Sequence, residues 1–242
     1  MSIKNLLNKI SISAKTNLAI VATGLLVIVA TTFVFHCTQY YYKNYSYGAM
    51  CFNKGKYKEA LPHLVRAVEA DPNSIEAVQY LALVYDRLGE NANALKTLQH
   101  LMEMTPENLA TKKWLAGAYF RLDDYANAEI YYRQLLLVKE DSFIQRKLAD
   151  TLIGQRNYSQ AIPILIYLVQ QNPREYELIE LLADVYSWEG KYGEAINLYR
   201  DLISSTAGPN KARIIVKLAD IMRYTGRNEE AIKLYSQSLK ED

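Results

Sequence analysis

The stretch Leu182-Ala183-Asp184-Val185-Tyr186-Ser187-Trp188-Glu189-Gly190-Lys191-Tyr192-Gly193-Glu194-Ala195 holds the pattern that decides the fold. A leucine and a small residue are followed by aromatics. A glycine then precedes an alanine by five positions. Aligning the chain on that alanine brings Ala60, Ala94, Ala128, Ala161, Ala195 and Ala231 into register, at successive spacings of 34, 34, 33, 34 and 36 residues. Five positions earlier stand the helix breakers Gly55, Gly89, Asp123, Gly190 and Gly226, with Arg156 as the exception. Three positions earlier stand Tyr57, Asn91, Tyr125, Tyr158, Tyr192 and Asn228. Four positions later come Leu64, Leu98, Tyr132, Leu165, Tyr199 and Tyr235, and Pro72, Pro106 and Pro173 close three of the periods. A fixed period of this length marks stacked supersecondary units.

The spacings have physical content. A small alanine lets two antiparallel helices approach where a larger side chain would overpack the crossing. Glycine accepts the left-handed conformation that ends a first helix. Proline stops the second helix. Leu81, Leu115, Leu148, Leu182 and Leu218, each 13 residues before its alanine, form an inward stripe on the first helices.

These residues resemble the tetratricopeptide repeat family, whose pattern is an aromatic, Leu-Ala, Tyr, then Gly-x-Tyr-x-x-Ala, then an aromatic and a proline. The fifth unit matches through Leu182-Ala183, Tyr186, Gly190, Tyr192, Ala195, Tyr199 and Leu202, and the second through Leu81-Ala82, Tyr85, Gly89, Ala94, Leu98, Leu101 and Pro106. The resemblance implies units at 41–74, 75–108, 109–141, 142–175, 176–211 and 212–242. The fold expected is all-α: one N-terminal transmembrane helix, then a right-handed α-solenoid of antiparallel helix pairs. Unit one has Tyr47-Gly48 where Leu-Ala recurs elsewhere. Unit five is long through Ser204–Gly208, so an irregular turn is expected there. In the last helix Ser238 replaces an Ala or Leu. It either caps the array or borders a partial apolar face of Ile232, Tyr235 and Leu239.

No charged residue occurs from Thr16 to Tyr42, and an apolar core runs from Leu18 to Phe35. As a helix those residues span roughly 27 Å, close to the ~30 Å hydrocarbon core of a bilayer. The run exceeds a signal-peptide h-region, and His36-Cys37-Thr38 offers no small-x-small cleavage site. An uncleaved anchor is expected over 18–36, with 1–17 cytoplasmic and 37–242 carrying the repeats. Lys4, Lys9 and Lys15 precede the anchor, while Lys43 alone closely follows it, so the N-terminus is expected inside and the repeats outside. Ile3, Leu6, Leu7 and Ile10 form a short amphipathic pattern that suits the inner leaflet, a cytosolic partner or a frayed tail. Tyr40, Tyr41, Tyr42, Tyr45 and Tyr47 either sit in the interface or pack in the first repeat.

The formal net charge of the whole chain is +2, and beyond residue 40 there are 25 basic and 26 acidic residues. That balance argues against nucleic-acid binding. Cys37 and Cys51 are too few for a disulfide framework, and a bond between them is not expected because both belong on or beside helices. His36, His63 and His100 are scattered, and no phosphate loop, nucleophile elbow or HExxH motif occurs. No enzymatic role, cofactor, metal or small-molecule substrate is expected.

The resemblance implies a groove lined by first helices that takes extended or helical segments of other proteins. On that pattern the candidate partner-binding residues are Arg146, Asp150, Glu177, Glu180, Asp184, Trp188, Arg213, Asp220 and Tyr224. Glu177, Glu180, Asp184 and Trp188 share one stripe, and Asp150, Asp184 and Asp220 form a row. The stripe either receives a basic or amide-rich segment with an apolar anchor near Trp188, or is neutralised internally by Arg146 and Arg213 while Trp188 packs in the array. The Lys/Asn/Arg carboxylate clamp of some relatives is not expected, because Tyr45 and Ala49 occupy the corresponding first-unit positions. The function expected is a membrane-anchored scaffold in the bacterial inner membrane, binding proteins through periplasmic repeats and the bilayer through 18–36. It would help assemble an envelope complex of the polysaccharide-export, pilus or secretion kind, since 182–192 looks like repeats of exopolysaccharide-export proteins. The alternatives are an organelle import receptor with cytosolic repeats, or an accessory subunit acting through its anchor.

Overall fold

The computed structural model describes residues 3–240, with side chains from residue 22 onward. The amphipathic pattern expected over Ile3–Ile10 lies outside the described side chains. Every described element is helical: α1 (Ile3–Asn53), α2 (Tyr57–Ala70), α3 (Ile75–Leu88), α4 (Asn91–Met104), α5 (Leu109–Arg121), α6 (Tyr125–Val138), α7 (Ser142–Gly154), α8 (Tyr158–Gln171), α9 (Tyr176–Trp188), α10 (Tyr192–Ser205), α11 (Pro209–Tyr224) and α12 (Asn228–Ser238). They fall into two compact units, Met1–Pro106 and Glu107–Asp242. Within each, consecutive helices pack on one another, as short connections require.

One turn explains the repeated hairpins. The residue five before each aligned alanine has positive φ: Gly55 at 73°, Gly89 at 75°, Asp123 at 57°, Arg156 at 59°, Gly190 at 80° and Gly226 at 81°. The next residue's N–H returns to a carbonyl five residues back, as in Lys56 to Cys51 (2.9 Å), Asn157 to Leu152 (2.8 Å) and Lys191 to Tyr186 (2.8 Å). This is the Schellman bond that satisfies helix-end carbonyls. Arg156 is therefore no exception: the turn forces it into the left-handed region despite its Cβ.

Three first helices, α3, α5 and α7, begin on side-chain caps, whereas α9, preceded by Glu175, begins without one. Ser74 Oγ accepts from the Ala77 N–H, Asn108 Oδ1 from Ala110 and Thr111, and Asp141 Oδ1 from Phe143 and Ile144. Such caps contribute typically ~1 kcal/mol each. The sixth pair differs. Its first helix starts at Pro209, ahead of the 212 expected from alignment, because Gly208 (φ 63°) turns the chain and Pro209 has the fixed φ suited to a first helical position.

In the first unit no turn divides the apolar segment from the repeat. The boundary expected between 36 and 37 falls inside α1, whose C-terminal part serves as the first helix of the first pair. Cys51, Ala60, Leu64, Leu81 and Val84 form its core. Gly48 permits the close crossing, since a Cβ there would lie 2.7 Å from Leu64 Cγ. Both cysteines are free, and their places on one helix preclude a bond between them. The tyrosines divide. Tyr41 and Tyr45 stack at 5.7 Å, and the Tyr41 and Ser74 hydroxyls are 2.6 Å apart, whereas Tyr40 and Tyr42 stay exposed. Residues 22–40 are all exposed. Among the described residues α1 is the one helix long and apolar enough to cross a membrane.

In the second unit the aligned alanines and inward leucines are buried, and two apolar clusters centre on Leu152 and Leu165 and on Tyr199 and Ile214. At its end Ser238 is buried and donates to the Tyr235 carbonyl at 2.8 Å, while Ile232 and Leu239 are exposed.

Candidate functional site

The acidic stripe of α9 is answered from α11, one repeat further on. Glu180 is only 7% exposed. Both its oxygens accept from the Arg213 guanidinium, and Lys217 Nζ lies 2.7 Å from Oε1. The same ammonium reaches Asp184 Oδ2 at 2.7 Å, and the Tyr199 hydroxyl donates to Asp184 Oδ1 at 2.5 Å. A bidentate guanidinium–carboxylate pair is among the stronger charge-assisted arrangements. Burial alone would raise the Glu180 pKa. The hydrogen bonds from Arg213 and Lys217 outweigh it and hold the carboxyl below its ordinary value. Burial and the Asp184 bond push the Tyr199 hydroxyl well up.

Lys217, absent from the sequence-based site, bridges Glu180 and Asp184 and cancels the like-charge cost expected at their four-residue spacing. Its signal was present in the repeat register. Arg213 and Lys217 are spaced as Glu180 and Asp184 are, and each pair is 33 residues apart. Arg146 does not serve this network; its Nε bonds Asp150 Oδ1 at 3.0 Å on its own helix. Asp220 accepts from the Tyr235 hydroxyl at 2.7 Å and faces Arg223 at 3.7 Å. The row of three aspartates is thus matched by cations, and two members also accept a tyrosine hydroxyl from the following helix.

What stays open is aromatic. Trp188 is 52% exposed and rests on Tyr158 at 5.7 Å between centroids; Tyr224 is 75% exposed and rests on Tyr192 at 5.6 Å. Between α9, α10 and α11 lies a pocket of about 440 Å³, lined by Ser187, Trp188, Tyr192, Asp220, Ile221 and Tyr224 among others. Glu177 is exposed at the other end of α9. The structure therefore gathers Asp184, Trp188, Asp220 and Tyr224 at one pocket, places Glu180 and Arg213 beside it, and leaves Arg146 and Asp150 on α7. Among the described residues no group of three His, Cys, Asp or Glu could hold a metal ion.

Residues 53–135 match the family model described as anaphase-promoting complex, cyclosome, subunit 3, and residues 146–212 match the tetratricopeptide repeat model. No curated protein matches the chain. Among solved structures, it is similar to a tetratricopeptide repeat protein from Parabacteroides merdae ATCC 43184, at 23% identity over 83% of this chain and 78% of that one, with a TM-score of 0.54. It is similar to YrrB, described as a TPR protein with an unusual peptide-binding site, at 16% identity over 74% and 92%, TM-score 0.57. It is also similar to pilF of Pseudomonas aeruginosa, at 19% identity over 83% and 91%, TM-score 0.53. At these identities the likenesses establish the fold.

Proposed function

We propose that this chain, a tetratricopeptide-repeat protein, is a non-enzymatic scaffold that α1 anchors in a membrane and that captures a partner protein at the α9–α11 pocket. The observation that carries the reading is the pairing of open aromatics with charges that are already matched. Glu180, Asp184 and Asp220 have cations beside them. A partner therefore meets Trp188 and Tyr224 without having to neutralise an acidic stripe. Exposed aromatics beside a pocket are the usual anchors of a protein interface. Arg213, paired with Glu180 beside the pocket, flanks this contact, and Glu177, Arg146 and Asp150 orient the partner chain further along the array.

The bilayer part of the proposal rests on α1. Its described apolar side chains face outward, with Leu26 and Phe33 68–69% exposed, as lipid-facing residues would be. The proposed location is a bacterial inner membrane, and the three N-terminal lysines support an orientation with the N-terminus in the cytoplasm and the repeats in the periplasm. There the chain helps assemble a multi-protein envelope machine, for polysaccharide export, pilus formation or secretion. YrrB, with its peptide-binding site on a similar helical array, supports the binding role.

The test is a photo-crosslinking residue placed in turn at Trp188, Tyr224 and Leu137 of the full chain in its own membrane. Leu137, 87% exposed on α6, is the control. Capture of one protein from Trp188 and Tyr224, but not from Leu137, supports the proposal. Equal capture from all three positions, or none from α9 and α11, sinks it.

A further inference from the structure

The α5 and α7 helices carry a second cluster whose electrostatics are the reverse of α9. Lys113 Nζ stands 4.7 Å from the Phe143 ring centroid, and Lys147 Nζ stands 5.8 Å from the same ring and 5.6 Å from that of Phe120. Phe143 is 56% exposed between the two ammonium groups. Among the described residues Lys113 has no carboxylate within ion-pair distance, and Lys147 has Asp150 at 3.7 Å. Arg146 is held by the same aspartate at 3.0 Å, so Asp150 answers more than one cation. On α9 and α11 Glu180, Asp184 and Asp220 each have a cation beside them. Here the cations outnumber the acid beside them, and their resting partner is an aromatic face.

We propose that the Lys113–Phe143–Lys147 cluster docks an acidic protein segment that carries an apolar residue between its carboxylates. This rests on reading the array as a protein-binding surface, and it names the chemistry of a second contact there. A cation over an exposed ring is held weakly. A carboxylate gives the same ammonium a charge-assisted hydrogen bond, which is stronger. An arriving acidic segment therefore draws both lysines off Phe143 and uncovers the ring, and its apolar residue packs on the ring. Unmatched positive charge also steers such a partner in, with an on-rate that falls as salt rises. A basic segment gains neither effect.

The probe is a fluorescein-labelled decapeptide of glutamates with two central leucines, titrated by anisotropy against the full-length protein in mild detergent. Its lysine counterpart and a thymidine decanucleotide are run alongside. The variants are K113E/K147E, the milder K113Q/K147Q, and F143A, each checked for unchanged helicity. The acidic peptide should bind. K113E/K147E should weaken it about tenfold or more, F143A should weaken it at unchanged salt dependence, and the lysine peptide should not bind. Equal binding of both peptides, indifference to both lysine pairs, or equally tight binding of the decanucleotide would overturn the proposal. Crosslinking at Trp188 and Tyr224 is read separately, so either site can fail without the other.

Discussion

Replacing Arg156 with glycine should stabilise the repeat array. Arg156 has φ 59° in a turn whose other occupants are mostly glycine, and its side chain is exposed. Holding a residue with a Cβ in the left-handed region costs about 1–2 kcal/mol. Glycine avoids that cost but loses about 0.5–1 kcal/mol more chain entropy on folding. The net gain expected is about 0.5–1 kcal/mol. At a urea slope of about 2 kcal/mol per molar, the midpoint should rise by roughly 0.3–0.5 M. Full-length protein in mild detergent, followed by the fluorescence of Trp114 and Trp188, reports on the unit that holds Arg156. The reciprocal change, Gly190→Ala at φ 80°, should lower the midpoint by a similar amount. A lower midpoint for R156G would refute the reasoning. It would mean that the guanidinium makes a stabilising contact, or that the turn is not left-handed.

Other outcomes follow from the same geometry. Gly154→Ala puts a Cβ 2.6 Å from Tyr125 Cζ, which should cost about 1–3 kcal/mol in urea unfolding, and Tyr125→Leu in the same chain should restore part of it. The depressed Glu180 pKa means its contribution to stability is present above the unfolded carboxylate value of about 4.3 and is lost as pH falls through the folded value. Wild type should therefore exceed E180Q in urea midpoint at pH 7, and the gap should close in acid. A constant gap would count against the Arg213–Lys217 pairing. For topology, with the exposed Cys37 replaced by serine, a membrane-impermeant maleimide added outside should label Ser46→Cys, which is exposed, and spare Cys51, which is 1% exposed. Labelling of Ser46→Cys only after the membrane is opened would reverse the orientation.

The alanine and leucine positions that define the pairs were legible in the sequence because packing at a helix crossing tolerates few residue types. Ala60 and Leu64, or Ala161 and Leu165, are buried as their spacing implied. The turn at Arg156 was not legible. Residue type there suggests a break in the pattern, yet the Schellman bond from Asn157 to Leu152 fixes the backbone whatever side chain is present. α11 starts at Pro209, three residues before the repeat period places unit six, because Gly208 and Pro209 set the turn and carry no apolar signal. At the site, Glu180 and Asp184 stood out as like charges on one stripe. Their shared partner Lys217 lies a repeat away on α11, and only the packing of both helices against α10 brings it within 2.7 Å of both. Exposure of Trp188 and Tyr224 likewise follows from their places at helix ends, which composition does not reveal.

The central claim is that the repeats capture the partner while the apolar helix only localises them. It is tested most directly by replacing residues 18–36 with an unrelated single-pass helix of equal length and recovering complexes from the native membrane in mild detergent. Recovery of the same partners as the unaltered chain is the result expected. Loss of those partners, with the repeats still folded, would show that the membrane helix is itself the binding surface and would contradict the account.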